Sequence, residues 1–67
     1  MAKIKYIGED GLRASDARKV YRRGTVLNRI SREDDTASMA TMQLHGRVYH
    51  VTRFPDKGHT VVRVTRE

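Results

Sequence analysis

Two turn signals in the last thirty residues, Ser38 to Glu67, constrain the fold more than any other feature of this sequence. His45-Gly46 lies between two runs of β-forming residues, and glycine at the second position suits a two-residue type I′ loop that pairs Leu44 with Arg47. Pro55 to Gly58 offers a proline to start a type I turn and a glycine to close it. The sequence therefore predicts a three-stranded antiparallel meander at its C-terminal end.

The two predicted loops also set the register of this meander. A four-residue second loop places Phe54 opposite His59 and Val51 opposite Val62. Both loops then put the same apolar side chains on one face of the sheet: Ala40, Met42, Leu44, Tyr49, Val51, Val62 and Val64. The other face is predicted to be polar and mildly basic, with Val61 among its few apolar residues and with no acidic residue, as is common for a solvated face.

The N-terminal half contains shorter signals. Lys3 to Ile7 alternates charged and apolar residues, which predicts a first strand with its isoleucine at position 4 and tyrosine at position 6 turned inward. Ser15 to Arg23 predicts a short helix, with Ser15 as N-cap and Gly24 in the C′ position after its end. Thr25 to Ser31 fits either a strand or a turn of helix, and we interpret it as a strand.

Together these segments predict a mainly β domain with one short helix, built as a small antiparallel sheet or as a partly closed SH3- or OB-like barrel that ends in the meander. Residues 1–67 are expected to form a single small domain. The core is thin and no cysteine is present to form disulfides, so open sheet edges predict a homodimer. Nothing resembles a signal peptide or a membrane span, which predicts a cytoplasmic protein.

The charge of the chain indicates the class of partner. Fourteen lysines and arginines against eight acidic residues give a net charge of +6 and a pI near 10.3, which attracts polyanions. The densest basic cluster is predicted to bind phosphates and comprises Arg13, Arg18, Lys19, Arg22 and Arg23. The alternative is a solvated helix face that is partly balanced by the acidic residues of the charged connection Arg32 to Thr36.

A second candidate site lies on the predicted polar face of the sheet. His50, Phe54 and Arg63 could form an aromatic and basic platform on which bases stack. The alternative is that Phe54 covers the edge of the sheet. The three histidines lack the spacing of a structural zinc site, so neither a metal nor another cofactor is expected. No catalytic motif is recognisable, so no enzymatic activity is expected.

These observations favour a small basic module that binds DNA or RNA through the arginine-rich cluster and the polar sheet face. The scarcity of aromatic residues argues against sequence-specific recognition of RNA. The alternative is an inhibitor or adaptor, of the kind that phages and mobile elements encode, which docks on an acidic surface of a host protein. The size and charge of the chain suit both functions.

Overall fold

A computed structural model describes residues 3–31 and 37–67 of the chain. The elements are β1 (Ile4–Gly8), α1 (Ala14–Arg23), β2 (Thr25–Ser31), β3 (Ser38–Leu44), β4 (Arg47–Asp56) and β5 (His59–Arg66). The five strands form one sheet in the order β1-β5-β4-β3-β2. β1 pairs with β5 in parallel and the other neighbours are antiparallel. The charged connection predicted at Arg32–Thr36 lies outside the described residues.

The protein is mainly β with one short helix, as the sequence predicts, but the sheet is mixed and open. β1 and β2 are its two edges, so the predicted closure into a barrel by Thr25–Ser31 does not occur in the part of the chain described. Thr25–Ser31 does form a strand, β2, and it pairs with β3. The helix packs against one face of the sheet, near β1, β5 and β3, and supplies the apolar cover that closure would otherwise provide.

The first hairpin has the predicted geometry. His45 and Gly46 have φ values of 52° and 75°, the two positive values that a type I′ loop requires, and Leu44 lies opposite Arg47. Positive φ is easily adopted by glycine but is uncommon for histidine. Gly46 therefore allows the chain to form this tight loop.

The second hairpin corrects the prediction. Its loop has two residues, Lys57 and Gly58, with φ values of 48° and 81°, and not the four residues expected. Asp56 therefore lies opposite His59, where Phe54 was expected. The change moves the pairing of β4 and β5 along by two residues.

The shift is seen at Val51, which lies opposite Val64 and not opposite Val62. A shift of two residues leaves each side chain on its original face, so the predicted apolar face is retained. Proline is tolerated within β4 because Pro55, opposite Thr60, is next to the pair that flanks the loop. At that position its nitrogen points away from β5, and its missing N–H removes no hydrogen bond to that strand.

The helix begins at Ala14, one residue earlier than predicted, with Arg13 and not Ser15 as its N-cap. The Arg13 backbone N–H donates to Asp16 Oδ2 at 3.0 Å, which satisfies one of the unpaired groups at the helix start. A carboxylate in the first turn also interacts favourably with the helix dipole.

Gly24 directly follows the helix and caps its end. Its backbone N–H donates to the Val20 carbonyl oxygen at 2.9 Å, and its φ of −67° with ψ of 155° makes it extended and not left-handed. A Cβ atom at this position would lie 2.5 Å from the Val20 carbonyl oxygen and 3.3 Å from Met42 Cε. Glycine is needed here because a side chain would overlap the last turn of α1 and crowd Met42 of β3.

The core lies between α1 and the face of the sheet that it covers. Its buried members are Ala17, Val20, Met42, Val51, Val62 and Val64. Tyr6 and Tyr21 pack beside this cluster, with ring centroids 6.0 Å apart and planes inclined at 58°. Ile4 was expected to turn inward, but it lies on an edge strand and is 45% exposed.

Candidate nucleic-acid interface

Four cations form the outward face of α1, and we call this set the α1 ridge: Arg18, Lys19, Arg22 and Arg23. All four side chains are exposed and together they line a shallow surface cavity. At 3.6 residues per turn they occupy roughly 140° of the helix circumference, centred opposite the buried Ala17 and Val20. The burial of the apolar stripe therefore orients all four cations towards solvent.

Arg13 stands apart from the α1 ridge, although the sequence groups it with the other four. It is the N-cap of the helix, roughly 7.5 Å along the axis from Arg18 and 15 Å from Arg23 at a rise of 1.5 Å per residue. The predicted cluster of five is thus a compact group of four and one separate cation at the other end of the helix.

A groove on one side of α1 carries two arginines that sequence reasoning missed. Arg29 of β2 and Arg53 of β4 line it together with Tyr21, and its volume is about 330 Å³. Arg53 Nη1 donates to the Tyr21 hydroxyl oxygen at 3.2 Å. The buried Met42 and Val51 also line this groove, so it combines an apolar floor with a basic rim.

A second groove on the other side of α1 adds two more arginines. Lys19 of the α1 ridge lines it with Arg47 and Arg66, and its volume is about 270 Å³. Asp16, whose carboxylate accepts the N-cap hydrogen bond, lies in the same groove. The α1 ridge is therefore flanked on both sides by grooves that contain arginines.

We call the face of the sheet covered by α1, together with the helix, the helix side, and the other face of the sheet the open face. The strand registers and α1 assign nine described cations to the helix side: Arg13, Arg18, Lys19, Arg22, Arg23, Arg29, Arg47, Arg53 and Arg66. The other described cations are at β1, on the open face or in the second hairpin loop: Lys3, Lys5, Lys57 and Arg63. The positive charge is concentrated on the helix side.

The sequence shows which face of the sheet Arg53 lies on, but it does not show this for Arg29. Arg53 alternates in phase with Val51, so the predicted register already placed it on the apolar face. A bulge near Leu27, between Val26 and Asn28, adds one residue to β2 and reverses the alternation beyond it. Simple alternation along β2 therefore assigns Arg29 to the wrong face.

The second candidate site is on the open face, away from α1. His50, Phe54 and Arg63 all lie there, so the predicted binding residues fall on two opposite surfaces of the sheet. Arg63 is held by Glu9, with Nε 2.8 Å from Oε1 and Nη2 3.1 Å from Oε2. This cation is already neutralised in part by a bidentate ion pair.

The open face also differs in composition from the prediction. Val61 is only 2% exposed, because its neighbours across the sheet are Phe54 and Lys5, whose long side chains can cover it. Asp56 lies at the end of this face opposite His59, and Glu9 reaches Arg63. The expectation that this face carries no acidic residue was therefore wrong, and its apolar residue Val61 is buried.

Comparisons with protein-family models, with curated proteins and with solved structures found no match to this chain. Within residues 3–31 and 37–67, no helix is long and apolar enough to cross a membrane. The same residues contain no group of three or more histidine, aspartate or glutamate side chains arranged to hold a metal ion.

Proposed function

We propose that this protein binds nucleic acid through its helix side, with phosphate groups in contact with the α1 ridge. The observation that carries the proposal is the concentration of nine cations on one side of the sheet. Among the described residues, no carboxylate forms an ion pair with any member of the α1 ridge. Exposed guanidinium groups are well suited to phosphate because they can donate two parallel hydrogen bonds.

The chemistry of the α1 ridge favours contact with the backbone of the nucleic acid and not with its bases. The ridge holds arginine and lysine only, while the nearby Tyr6 and Tyr21 pack beside the core. Phosphate contacts position a protein on nucleic acid but carry no sequence information. We therefore propose binding that depends on charge and is largely independent of sequence.

The open face is not required for this binding. A duplex seated on the α1 ridge cannot also contact His50 or Phe54, which lie on the opposite side of the sheet. The arginines of the two flanking grooves are better placed to extend the interface, because Arg53 and Arg66 share the helix side with the ridge. The proposed footprint is therefore α1 and its two grooves.

The test is a titration of the full chain against duplexes of about 20 base pairs, DNA and RNA, at several salt concentrations. If each of the four ridge cations neutralises one phosphate, the log–log slope for DNA is about −3.6. The double change Arg22→Ala and Arg23→Ala should reduce that slope by about two and weaken binding to all sequences alike. Fluorescence anisotropy with a labelled duplex measures both quantities.

A matched control removes two cations from the open face. The double change Lys5→Ala and Arg63→Ala alters the net charge equally but should leave the slope unchanged. Equal losses in both double variants would contradict the proposed footprint and indicate a general effect of charge. No binding by the folded protein at low salt would overturn the nucleic-acid proposal and favour docking on an acidic protein surface.

A further inference from the structure

Exposed aliphatic side chains are concentrated at one edge of the sheet. Among the described residues, five large apolar side chains are exposed: Ile4, Val26, Leu27, Ile30 and Met39. Three belong to β2, and Met39 lies directly opposite Ile30 on β3. Ile30 is 59% exposed and Leu27 is 53% exposed, so solvent reaches apolar surface along this edge.

β2 is also an edge strand with one side of its backbone unpaired. It pairs with β3 along one side, and no described residue pairs with its other side. An edge strand presents a row of free N–H and C=O groups that another strand can pair with. Because β2 has both an unpaired backbone and exposed aliphatic side chains, the partner that suits it is another strand with apolar side chains.

The opposite edge of the sheet lacks these properties. β1 starts beside Lys3 and contains Lys5, and lysine is a residue that commonly protects an edge from pairing. β2 contains a single cation, Arg29, and no lysine. Its one irregularity is the bulge near Leu27, after which Asn28–Ser31 pairs regularly with β3.

We propose that β2 is a dimerisation edge, at which the β2 strands of two copies pair in antiparallel fashion about a two-fold axis. A β2–β2 contact uses the same patch on both copies and closes at the dimer. The lysines of β1 disfavour the alternative head-to-tail contact between β2 and β1, which would lead to open chains. The dimer would contain a continuous sheet of about ten strands, twice the five strands of one copy.

The dimer would place both helices on one side of the sheet. A two-fold axis that relates antiparallel edge strands is perpendicular to the sheet, so both copies present α1 in the same direction. With neighbouring strands about 4.8 Å apart, the two α1 ridges would be separated by roughly 30 Å. The dimerisation proposal itself does not depend on nucleic-acid binding and is tested without it.

Salt should affect the two proposed interactions in opposite directions. Each copy carries a net charge of +6, so repulsion between copies opposes the dimer and is screened by added salt. Binding to phosphates weakens with salt because it depends on counterion release. Raising the salt concentration should therefore maintain or strengthen the dimer while it weakens binding to duplex DNA.

The test is sedimentation equilibrium of the full chain without nucleic acid, from about 10 to 500 µM. We expect a monomer–dimer equilibrium that Ile30→Lys weakens at least about tenfold in its dissociation constant. Ile4→Lys is the matched control, because it adds the same charge at an exposed isoleucine on the other edge strand. This control should leave the dissociation constant of the dimer essentially unchanged.

Amide exchange of the unmodified chain provides a readout that does not depend on whether a variant folds. Protection of the amides of Asn28–Ser31 should increase with protein concentration, while that of Ile4–Gly8 should not. A monomer at every concentration, or species that grow beyond the dimer, would overturn the proposal. A dimer that is lost in Ile4→Lys and kept in Ile30→Lys would also overturn it.

Discussion

Glu9 and Arg63 form a bidentate ion pair that joins the residue after β1 to the middle of β5. Arg63 Nε lies 2.8 Å from Glu9 Oε1, and Arg63 Nη2 donates to Glu9 Oε2 at 3.1 Å. The Glu9 backbone N–H also donates to the Val64 carbonyl oxygen at 3.0 Å, which extends the parallel pairing of β1 and β5 by one residue. Glu9 therefore fixes both the backbone and the side chains at this end of the sheet.

The first prediction is that Glu9→Gln has little effect on stability or on nucleic-acid binding. The side chains of Glu9 and Arg63 are 38% and 50% exposed, so the ion pair contributes less than about 1 kcal/mol to the free energy of unfolding. Chemical denaturation measures this change. The salt slope for duplex DNA should stay the same, because the Arg63 that is released lies on the open face. A slope that increases by about one would indicate phosphate contact on that face.

A second prediction concerns the register of β4 and β5. The chain has no cysteine, so an introduced pair can form only one intramolecular disulfide. His50→Cys with Thr65→Cys should oxidise readily, because these residues lie directly opposite each other. His50→Cys with Arg63→Cys is the control, since Arg63 lies two residues before Thr65 on β5 and is not opposite His50. Faster oxidation of the control pair would support the register with a four-residue loop.

The sequence fitted Thr25–Ser31 to a strand or a helical turn alike, and the strand interpretation is confirmed by β2. A short helix and one shared apolar face for β3, β4 and β5 were predictable from the sequence. These features depend on local propensity and on side-chain alternation, and a two-residue change of register does not alter alternation. The position of Pro55 was mispredicted because proline is favoured both in turns and at strand positions whose nitrogen faces away from the partner. The sequence signal at this proline does not distinguish between these two environments.

The candidate site was harder to predict because it depends on long-range packing. The parallel pairing of β1 with β5 connects strands that are more than fifty residues apart in the chain, and no local pattern encodes it. The same limitation applies to the separation of the α1 ridge from His50 and Phe54. Which face of the sheet α1 covers is decided by packing, so the sequence alone could not show that these groups face in opposite directions.

A third prediction addresses the close contact between Gly24 and the last turn of α1. Gly24→Ala should lower the free energy of unfolding by about 1–3 kcal/mol, because the new methyl group would overlap the Val20 carbonyl oxygen. Ser15→Ala is the control: Ser15 is an exposed residue within α1, and the change adds no group to a crowded site. Thermal or denaturant unfolding compares the two variants. Equal stability of Gly24→Ala and the unmodified protein would contradict the close contact.

A final prediction separates a structural role of Phe54 from a role in base stacking. Phe54 is half-buried on the open face, opposite the buried Val61. Phe54→Ala should lower the free energy of unfolding by about 1–3 kcal/mol through lost apolar burial, whereas Phe54→Leu keeps most of that burial. Neither change should alter the affinity or salt slope for duplex DNA, since Phe54 faces away from the α1 ridge.

Single-stranded oligo(dT) provides the discriminating measurement for Phe54. A leucine retains apolar area but cannot stack on a base as an aromatic ring does, and stacking contributes about 1–3 kcal/mol per base. If Phe54 is structural, Phe54→Leu binds oligo(dT) as the unmodified protein does. A loss of affinity of about tenfold in a stably folded Phe54→Leu protein would instead show that the open face holds bases, in a site separate from the α1 ridge.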